Sequence, residues 1–444
     1  MWRALYRLYR IVSWLEHWIL RRFTSAGLRL LSALIIAAML GVDTSNLVAY
    51  EVFALLACVI TMAVVFSWFF RAKFAATRLL PRFGTAGQAM SYRVVVQNLT
   101  GHDQEGLTLL ENPADPRPSF REWRAMQRAA EKLVRSFRFN ESRRAGSLRM
   151  ASIKAASVAA IPPRGSVEVR MELTPLRRGL LRLEKVTLAR PDPFGLFRSL
   201  VNVPAPQTAL ILPKRYPIPP LALSGTMRYQ QGGVALASSV GRSEEFVGLR
   251  DYRRGDPLRH IHWRSWARAG RPIVKEFEDE FFVRHALVLD TFTELPNSEL
   301  FEEAVSVAAS FACTVRTQES LLDLLFVGPE AFCFTAGRGL GREDQMLEIL
   351  ASVRNCPDKP FRSLEHLVLG HVGAVSGCIC VLLDWDRERQ EFVKKIRALD
   401  VPMMVLVLVP EGNAETLDPG PLRDSPDKFR ALEMGRVKEG LAKL

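Results

Sequence analysis

The sequence predicts a membrane α-hairpin, then a β-sandwich-like domain, then an α/β doubly wound domain. Three observations predict this: a charge-free apolar run at 52–70, apolar–polar alternation over 92–96 and 167–173, and short apolar runs alternating with helical segments across 281–410. Of the 444 residues 48% are hydrophobic, and 60 Lys or Arg face 47 Asp or Glu, a net charge of +13. That excludes a disordered chain and a disulfide-stapled mini-protein, and leaves room for several domains. Residues 1–150 hold 21 Lys or Arg and 10 Asp or Glu, so most of the basic excess is N-terminal. The cysteines at 58, 313, 333, 356, 378 and 380 show no metal-ligand spacing. Cys378 and Cys380 sit in an apolar run whose alternate residues are expected on opposite sides of a strand, and a reduced, cytosolic setting follows.

Residues 1–25 form a basic N-terminal segment. WRALYRLYRIVSWLEHWIL (2–20) mixes Trp and Tyr with Arg3, Arg7 and Arg10, which suits a helix lying in the headgroup region or one packed on the chain's own domain. The hairpin is expected over 26–72. Val52–Phe70 is 19 residues long, about 28 Å as a helix and close to the hydrocarbon thickness. Leu30–Val42 is shorter and needs Ala26–Arg29, with the arginine snorkelling, to cross. Asp43–Glu51 contains no Lys or Arg, whereas Arg3, Arg7, Arg10, Arg21, Arg22 and Arg29 precede the pair and Arg71, Lys73, Arg78 and Arg82 follow it. The positive-inside rule then puts the N-terminus and the large C-terminal region in the cytoplasm, with two passes through the lipid bilayer. A cleaved signal peptide competes poorly, because the second apolar run would still anchor the chain.

A β-rich domain is expected over 83–215. Tyr92, Val94 and Val96, and Val167, Val169, Met171 and Leu173, alternate with polar neighbours at the period of half-buried strands. Between them, at 117–138, Trp123, Met126, Ala130, Leu133, Val134 and Phe137 recur at helical spacing, which reads as a helical insertion. Its arginines suit anionic lipid or an acidic protein surface better than nucleic acid.

The block at 242–284 is the densest constellation. Between Arg242 and Glu280 eight arginines interleave with carboxylates, Phe246, Tyr252, Trp263 and Trp266. Asp256-Pro257 reads as an N-cap with proline at the first helical position and Gly270 as a stop, predicting a helix over 257–269 with Arg264 and Arg268 on one face. The guanidinium groups can recognise an acidic ligand, or Glu244, Glu245, Asp251 and Asp256 can satisfy them internally. Neither His260 nor His262 suggests a metal site.

This block resembles the signature of the domain-of-unknown-function 58 family. The resemblance is carried by Glu245-Phe246, Leu249-Arg250-Asp251-Tyr252, Gly255-Asp256, Arg259-His260-Ile261-His262-Trp263 and Ala267-Arg268, and upstream by TPLRRG (174–179) and DPFGLF (192–197). It implies a bacterial inner (plasma) membrane protein whose C-terminal part is similar to a von Willebrand factor A domain, encoded and working beside a MoxR-type AAA ATPase. Partner-binding or signature candidates are therefore Glu245, Phe246, Arg250, Tyr252, Gly255, Asp256, Arg259, Trp263 and Arg268.

Over 281–410 the expected order is a strand at Ala286–Asp290, a helix at Ser298–Arg316, strands at Leu321–Val327 and Ala331–Phe334, a helix at Glu343–Val353, a strand at Cys378–Leu383, a helix at Arg387–Leu399 and a last strand at Met403–Val409. Ligands of such sheets sit at the carboxyl ends of the strands, where Asp290, Asp384 and Asp386 form a candidate strand-end site. An adhesion-type metal site would add hydroxyls two and four residues after Asp290, but Phe292 and Glu294 stand there. The other reading makes Asp290 a loop cap and Asp384 a helix cap. The tail, 411–444, is expected to be loop, then a short basic helix. No phosphate loop, zinc motif or nucleophile elbow is present, so no cofactor and no catalytic residue is assigned. The expected function is a membrane-anchored interaction or assembly protein working with the ATPase in a chaperone-like system. The alternative is a divalent-metal-dependent enzyme or ligand-binding domain using Asp290, Asp384 and Asp386.

Overall fold

The protein is described from a computed structural model, covering residues 2–40, 47–70, 72–114, 117–135, 149–219, 246–254, 256, 258–277, 283–295, 298–314, 320–337, 342–414 and 417–444. It divides into two compact units. The first comprises Met1–Arg215, Thr293–Ser306 and Leu347–Asn355, and the second comprises Tyr216–Phe292, Val307–Met346 and Cys356–Leu444.

The first unit opens with three helices, α1 (Trp2–Arg22), α2 (Ser25–Leu40) and α3 (Leu47–Trp68). Within α3, Tyr50–Trp68 is long and apolar enough to cross a membrane, whereas α2 is apolar but shorter. Of the expected outer loop, Asp43–Glu51, residues 43–46 lie outside the described residues and 47–51 are the first turn and a half of α3 rather than loop. Strands follow: β1 (Phe74–Leu79), β2 (Phe83–Thr85), β3 (Met90–Asn98) and β4 (Leu107–Pro113). After helix α4 (Phe120–Arg135) come β5 (Ala151–Ile153), β6 (Ala156–Val158), β7 (Ser166–Pro175), β8 (Gly179–Pro191) and β9 (Arg198–Leu212). They form a four-stranded sheet, β1-β3-β7-β5, and a five-stranded sheet, β2-β9-β8-β4-β6. One core is shared by both sheets: Tyr92, Val94 and Val96 of β3 and Val169, Met171 and Leu173 of β7 pack with Leu107 and Leu109 of β4 and Leu181, Leu183 and Leu188 of β8. Period-2 alternation puts those apolar side chains on one face of each strand.

The domain begins earlier than 83, because β1 already pairs with β3 from Phe74↔Asn98 to Leu79↔Arg93. Arg78 is therefore no membrane-flanking charge. Its guanidinium is buried, donating from Nε to Glu111 Oε1 (3.0 Å), from Nη2 to Glu111 Oε2 (2.6 Å) and from Nη1 to the Ala205 carbonyl (2.5 Å), and the Tyr92 hydroxyl donates to Glu111 Oε1 (2.9 Å). Burial first, and the Glu111 charge second, push the Tyr92 phenol up.

The turn at 192–197 ties the helices to the sheets. Asp192 accepts N–H bonds from Phe194, Leu196 and Phe197, and Gly195 supplies the left-handed residue at φ 68°. Thr24 N donates to the Leu196 carbonyl (3.0 Å) and Thr24 Oγ1 to the Gly195 carbonyl (2.6 Å). The same hydroxyl accepts from Gly27 N (3.0 Å), capping the start of α2. A side chain at Gly27 would place its Cβ 2.0 Å from the Leu196 oxygen, so only glycine permits this approach. Ser199 Oγ donates to the Ser67 carbonyl near the end of α3 (2.7 Å), and Phe66 meets Phe194 edge to face. The start of α2 and the end of α3 are thus held by one segment, with Phe23, Ala63, Leu196 and Phe197 forming the small core between them.

In the second unit, β10 (Phe246–Asp251) pairs antiparallel with β11 (Ile273–Phe277), with helix α5 (Trp263–Ala269) between them. The main sheet uses β12 (Val283–Leu289), β13 (Ser320–Val327), β14 (Ala331–Ala336), β15 (Gly377–Leu382), β16 (Met403–Val409) and β17 (Phe429–Glu433) in the order β14-β13-β12-β15-β16-β17. All pairings are parallel except β13 with β14. Helices α6 (Glu299–Thr314) and α7 (Glu343–Ser352) are each divided between the units, and α8 (Arg362–Val372), α9 (Arg387–Ala398) and α10 (Val437–Leu441) complete the set. Leu364 and Val368 of α8 and Phe392, Val393 and Ile396 of α9 cover one sheet face.

Three expectations change. Cys378 and Cys380 belong to that one face with their sulfurs 3.5 Å apart, because residues two apart on a strand share a side. The hydrogen bond shared with Cys378, and burial after it, raise the Cys380 thiol above its ordinary range. Residues 429–433 are a strand paired to β16, not helix, since Phe429 and Leu432 find a buried edge to complete. Helix α8, which carries no N-cap side-chain signal, was absent from the expected order.

Candidate functional site

The signature block folds as a ribbon whose apolar content is small. Ile261 and Val274 are buried and bridged, His262 N donates to the Ile273 carbonyl (2.9 Å) and Tyr252 N to the Pro272 carbonyl (3.0 Å), so Tyr252, Ile261 and His262 lie along β11 and the residue before it. The helix starts at Trp263, six residues later than expected, with His262 at the N-cap and its Nδ1 2.6 Å from Ser265 Oγ. Asp256 is not the cap because its carboxylate is spent elsewhere. Arg250 donates from Nη1 to Oδ2 (2.7 Å) and from Nη2 to Oδ1 (2.9 Å), and Arg253 N donates to Oδ2 (2.7 Å). The Arg250 fork, with the Arg253 N–H, holds the Asp256 carboxyl at about 2. Gly270 ends α5 with φ 68°, and its N–H donates to the Trp266 carbonyl.

What this internal pair leaves outward is apolar and basic. Trp263 is 65% exposed and stacks on Trp266, centroids 5.2 Å apart and planes 16° from parallel. Arg259, Arg264 and Arg268 are exposed, as are Leu249 and Leu258, while Tyr252 is half-buried. Asp251 is exposed and pairs with Arg271 (3.1 Å). The internal pairing therefore holds for Arg250 and Asp256, whereas Trp263, Arg259 and Arg268 face solvent. Glu245, Gly255 and the side chain of Phe246 lie outside the described residues. The pairing of β10 with β11 had only a weak signal in the sequence, because strand and turn residues are mixed with arginine throughout.

The strand-end candidates meet a different chemistry from the one expected. Asp290 is fully buried; Oδ1 accepts from Phe292 N (2.9 Å), and Oδ2 accepts from Leu383 N (3.1 Å) and Arg389 Nε (2.7 Å). Arg389 Nη1 donates to Asp386 Oδ2 (2.7 Å), and its guanidinium lies 4.8 Å from the Phe361 ring centroid. Burial works against the Arg389 charge, but Asp290, Asp386 and Asp384 outweigh it and raise its pKa. The residues present fit a guanidinium rather than a divalent cation, and among the described residues no group of three His, Cys, Asp or Glu is arranged to hold a metal. The cap of α9 is Asp386, which accepts from Arg389 N (2.9 Å); Asp384 is exposed and accepts its neighbour's N–H, from Trp385 (2.7 Å). Sequence reasoning missed Arg389, although an arginine three residues after a capping aspartate on the first turn of a helix is the available signal.

Of the two upstream motifs, TPLRRG carries Arg178, buried with Nε donating to the Leu350 carbonyl (3.0 Å), Nη2 to the Val353 carbonyl (2.8 Å) and Nη1 2.6 Å from Glu302 Oε2. DPFGLF is the turn that seats α2 and α3.

Residues 248–365, just over a quarter of the chain, match the family described as "Protein of unknown function DUF58". Over 190 residues the chain is 27% identical to "Uncharacterized protein YeaD" of Bacillus subtilis (strain 168), covering 42% of this chain and 46% of that protein. Among solved structures, the CARDB domain of PF1109 from Pyrococcus furiosus covers 32% of this chain and 94% of its own at 15% identity and a TM-score of 0.19. The ASH/PapD-like domain of human CEP192 covers 30% and 84% at 8% identity and a TM-score of 0.15. Likenesses this slight carry no argument about fold or activity. The match to the family of unknown function takes in Trp263, Trp266 and the exposed arginines of the ribbon together with the Asp290 strand end.

Proposed function

We propose that the chain is a membrane-anchored interaction protein that uses the ribbon around Trp263 to engage an acidic protein surface. The observation that carries this is the division of labour in the signature block: Asp256 is consumed by Arg250, while stacked Trp263 and Trp266 stand beside exposed Arg259, Arg264 and Arg268. Exposed Trp and Arg together are the residue types that dominate binding energy at interfaces. The common seat of α2 and α3 on residues 192–199 supports a two-pass hairpin, and the basic flanks support a cytoplasmic location for both ends. The family resemblance points to a MoxR-type AAA ATPase as the partner, in a chaperone-like maturation or assembly system. No observation favours the metal-dependent alternative, because Arg389 supplies the positive charge at the strand end.

The test is co-purification of the detergent-solubilised full chain with the neighbouring ATPase. Trp263→Ala and the pair Arg264→Ala/Arg268→Ala are expected to weaken association by about tenfold or more while unfolding at the wild-type temperature. Undiminished association in these variants rejects the ribbon as the docking surface.

A further inference from the structure

Helix α1 is clamped on two sides and left bare on a third. Its aromatic face packs on α4: Tyr6 meets Phe120 and Trp123, Trp2 and Tyr9 also meet Trp123, and the Tyr6 hydroxyl donates to the Pro118 carbonyl (2.9 Å). A capping box fixes α4 there, with Ser119 N donating to Glu122 Oε2 (2.8 Å) and Glu122 N reaching Ser119 Oγ (3.4 Å). The far end of α1 is held by Trp18 against Phe23 and Phe197, with Arg22 over both Trp18 and Phe197. Between these clamps Leu5, Leu8, Ile11, Val12 and Leu15 share one helical face and are 44–62% exposed. Arg3, Arg7 and Arg10, all exposed, line the face beside it.

A second bare apolar group lies at the 192–197 turn. Asp192 binds three N–H groups of the turn and leaves Phe194 50% exposed at its tip, against Phe66, with Trp68 and Phe69 exposed just beyond. Both bare surfaces continue into the apolar helices. Only Phe23 and Thr24 separate α1 from α2, and Phe194 touches α3 directly.

We propose that α1 lies in the plane of an anionic lipid surface, its aliphatic stripe among the acyl chains and Arg3, Arg7 and Arg10 at the headgroups, and that Phe194 enters the same interface. The sandwich is then seated on the bilayer rather than suspended from it. An aliphatic face flanked by arginines matches an anionic interface in both hydropathy and charge. Continuity with α2 and α3 selects lipid over a separate protein, which would have to occupy the same layer. The proposal rests on the membrane-anchored reading above, and its test separates the two.

The full chain, with Cys58→Ala and Cys333→Ala to remove exposed thiols, is spin-labelled singly at Leu8→Cys, Phe194→Cys, Leu55→Cys in α3 and Glu105→Cys on the exposed sandwich surface. Each is reconstituted in phosphatidylcholine vesicles with or without phosphatidylglycerol, and collisions with oxygen are compared with those of a water-soluble nickel reagent. Labels at 8 and 194 are expected about 5–10 Å inside the interface, deeper with phosphatidylglycerol, with label 55 in the acyl region and label 105 in water. Replacing Arg3, Arg7 and Arg10 together by Gln is expected to abolish the dependence on phosphatidylglycerol. Labels 8 and 194 in water with label 55 deep overturn the seating and leave an acidic protein as the occupant of the stripe. Label 55 in water overturns the membrane-anchored reading itself. Insertion of label 8 that ignores both phosphatidylglycerol and the Gln substitutions overturns the anionic-lipid assignment.

Discussion

Replacing Arg389 by Met removes the cation paired with a carboxylate that has no access to water. Asp290 is 0% exposed and the Arg389 side chain 7%, so solvent screening gives little relief. The two N–H donors from Phe292 and Leu383 remain, but they do not neutralise the charge. Breaking such a pair from one side costs about 3–5 kcal/mol. Asp386 keeps its cap on the backbone N–H of residue 389 and adds little. At about 2–4 °C per kcal/mol for a unit of this size, the second unit should melt roughly 6–20 °C lower. Thermal unfolding of the full chain in detergent measures the shift, and hydrogen exchange at β12 and β15 assigns it to this unit. Asp290→Asn in the Arg389→Met background is expected to recover most of the loss, because no buried charge is then left alone. Magnesium should leave the wild-type transition unmoved. A loss under about 1 kcal/mol, or strictly additive single variants, would show that Arg389 does not neutralise the strand end and that the argument against a metal there is unsound.

Arg78→Met strands Glu111 between the two sheets and is expected to cost about 3–5 kcal/mol, with Glu111→Gln in the same chain recovering part of it; denaturant titration of the β-rich unit measures both. Asp256 has a folded pKa of about 2 against an ordinary 3.8, so its contribution is present above the ordinary value and lost as pH falls through the folded one. Protection of the Arg253 N–H should therefore fall between those two pH values, and Asp256→Asn should remove that dependence. Gly27→Ala drives a methyl group against the Leu196 oxygen; the expected result is release of α2 from the 192–197 turn, read as faster proteolysis near Thr24, and wild-type resistance would show that the close approach is not required.

Elements with a clean period were legible in the sequence. Val94 and Val96, and Val169 and Met171, identified β3 and β7 because a strand with one buried face writes period 2 into its residues. The apolar runs of β12, β15 and β16 were legible for the complementary reason, being buried on both faces. The helix expected at 257–269 was misplaced because Asp256 satisfies two competing partners, and only the folded ribbon brings Arg250 within reach of it. Similarly, Phe429–Glu433 looks like the start of a basic helix until the edge of β16 is present to pair with it.

Composition and periodicity alone determined the apolar helix, the alternating strands and the clustering of arginine with tryptophan, since each is a property of neighbours along the chain. Tertiary structure decided which charges are spent and which are offered. Arg78 reads as a membrane-flanking cation in the sequence and Arg389 carries no assigned role there, yet each is buried on a carboxylate supplied from far along the chain, Glu111 and Asp290. Arg259, Arg264 and Arg268 keep their charge outward because the nearby Asp256 is already taken by Arg250. Whether a guanidinium is scaffold or recognition surface depends on the carboxylate within about 3–4 Å of it, a distance that no spacing along the chain specifies.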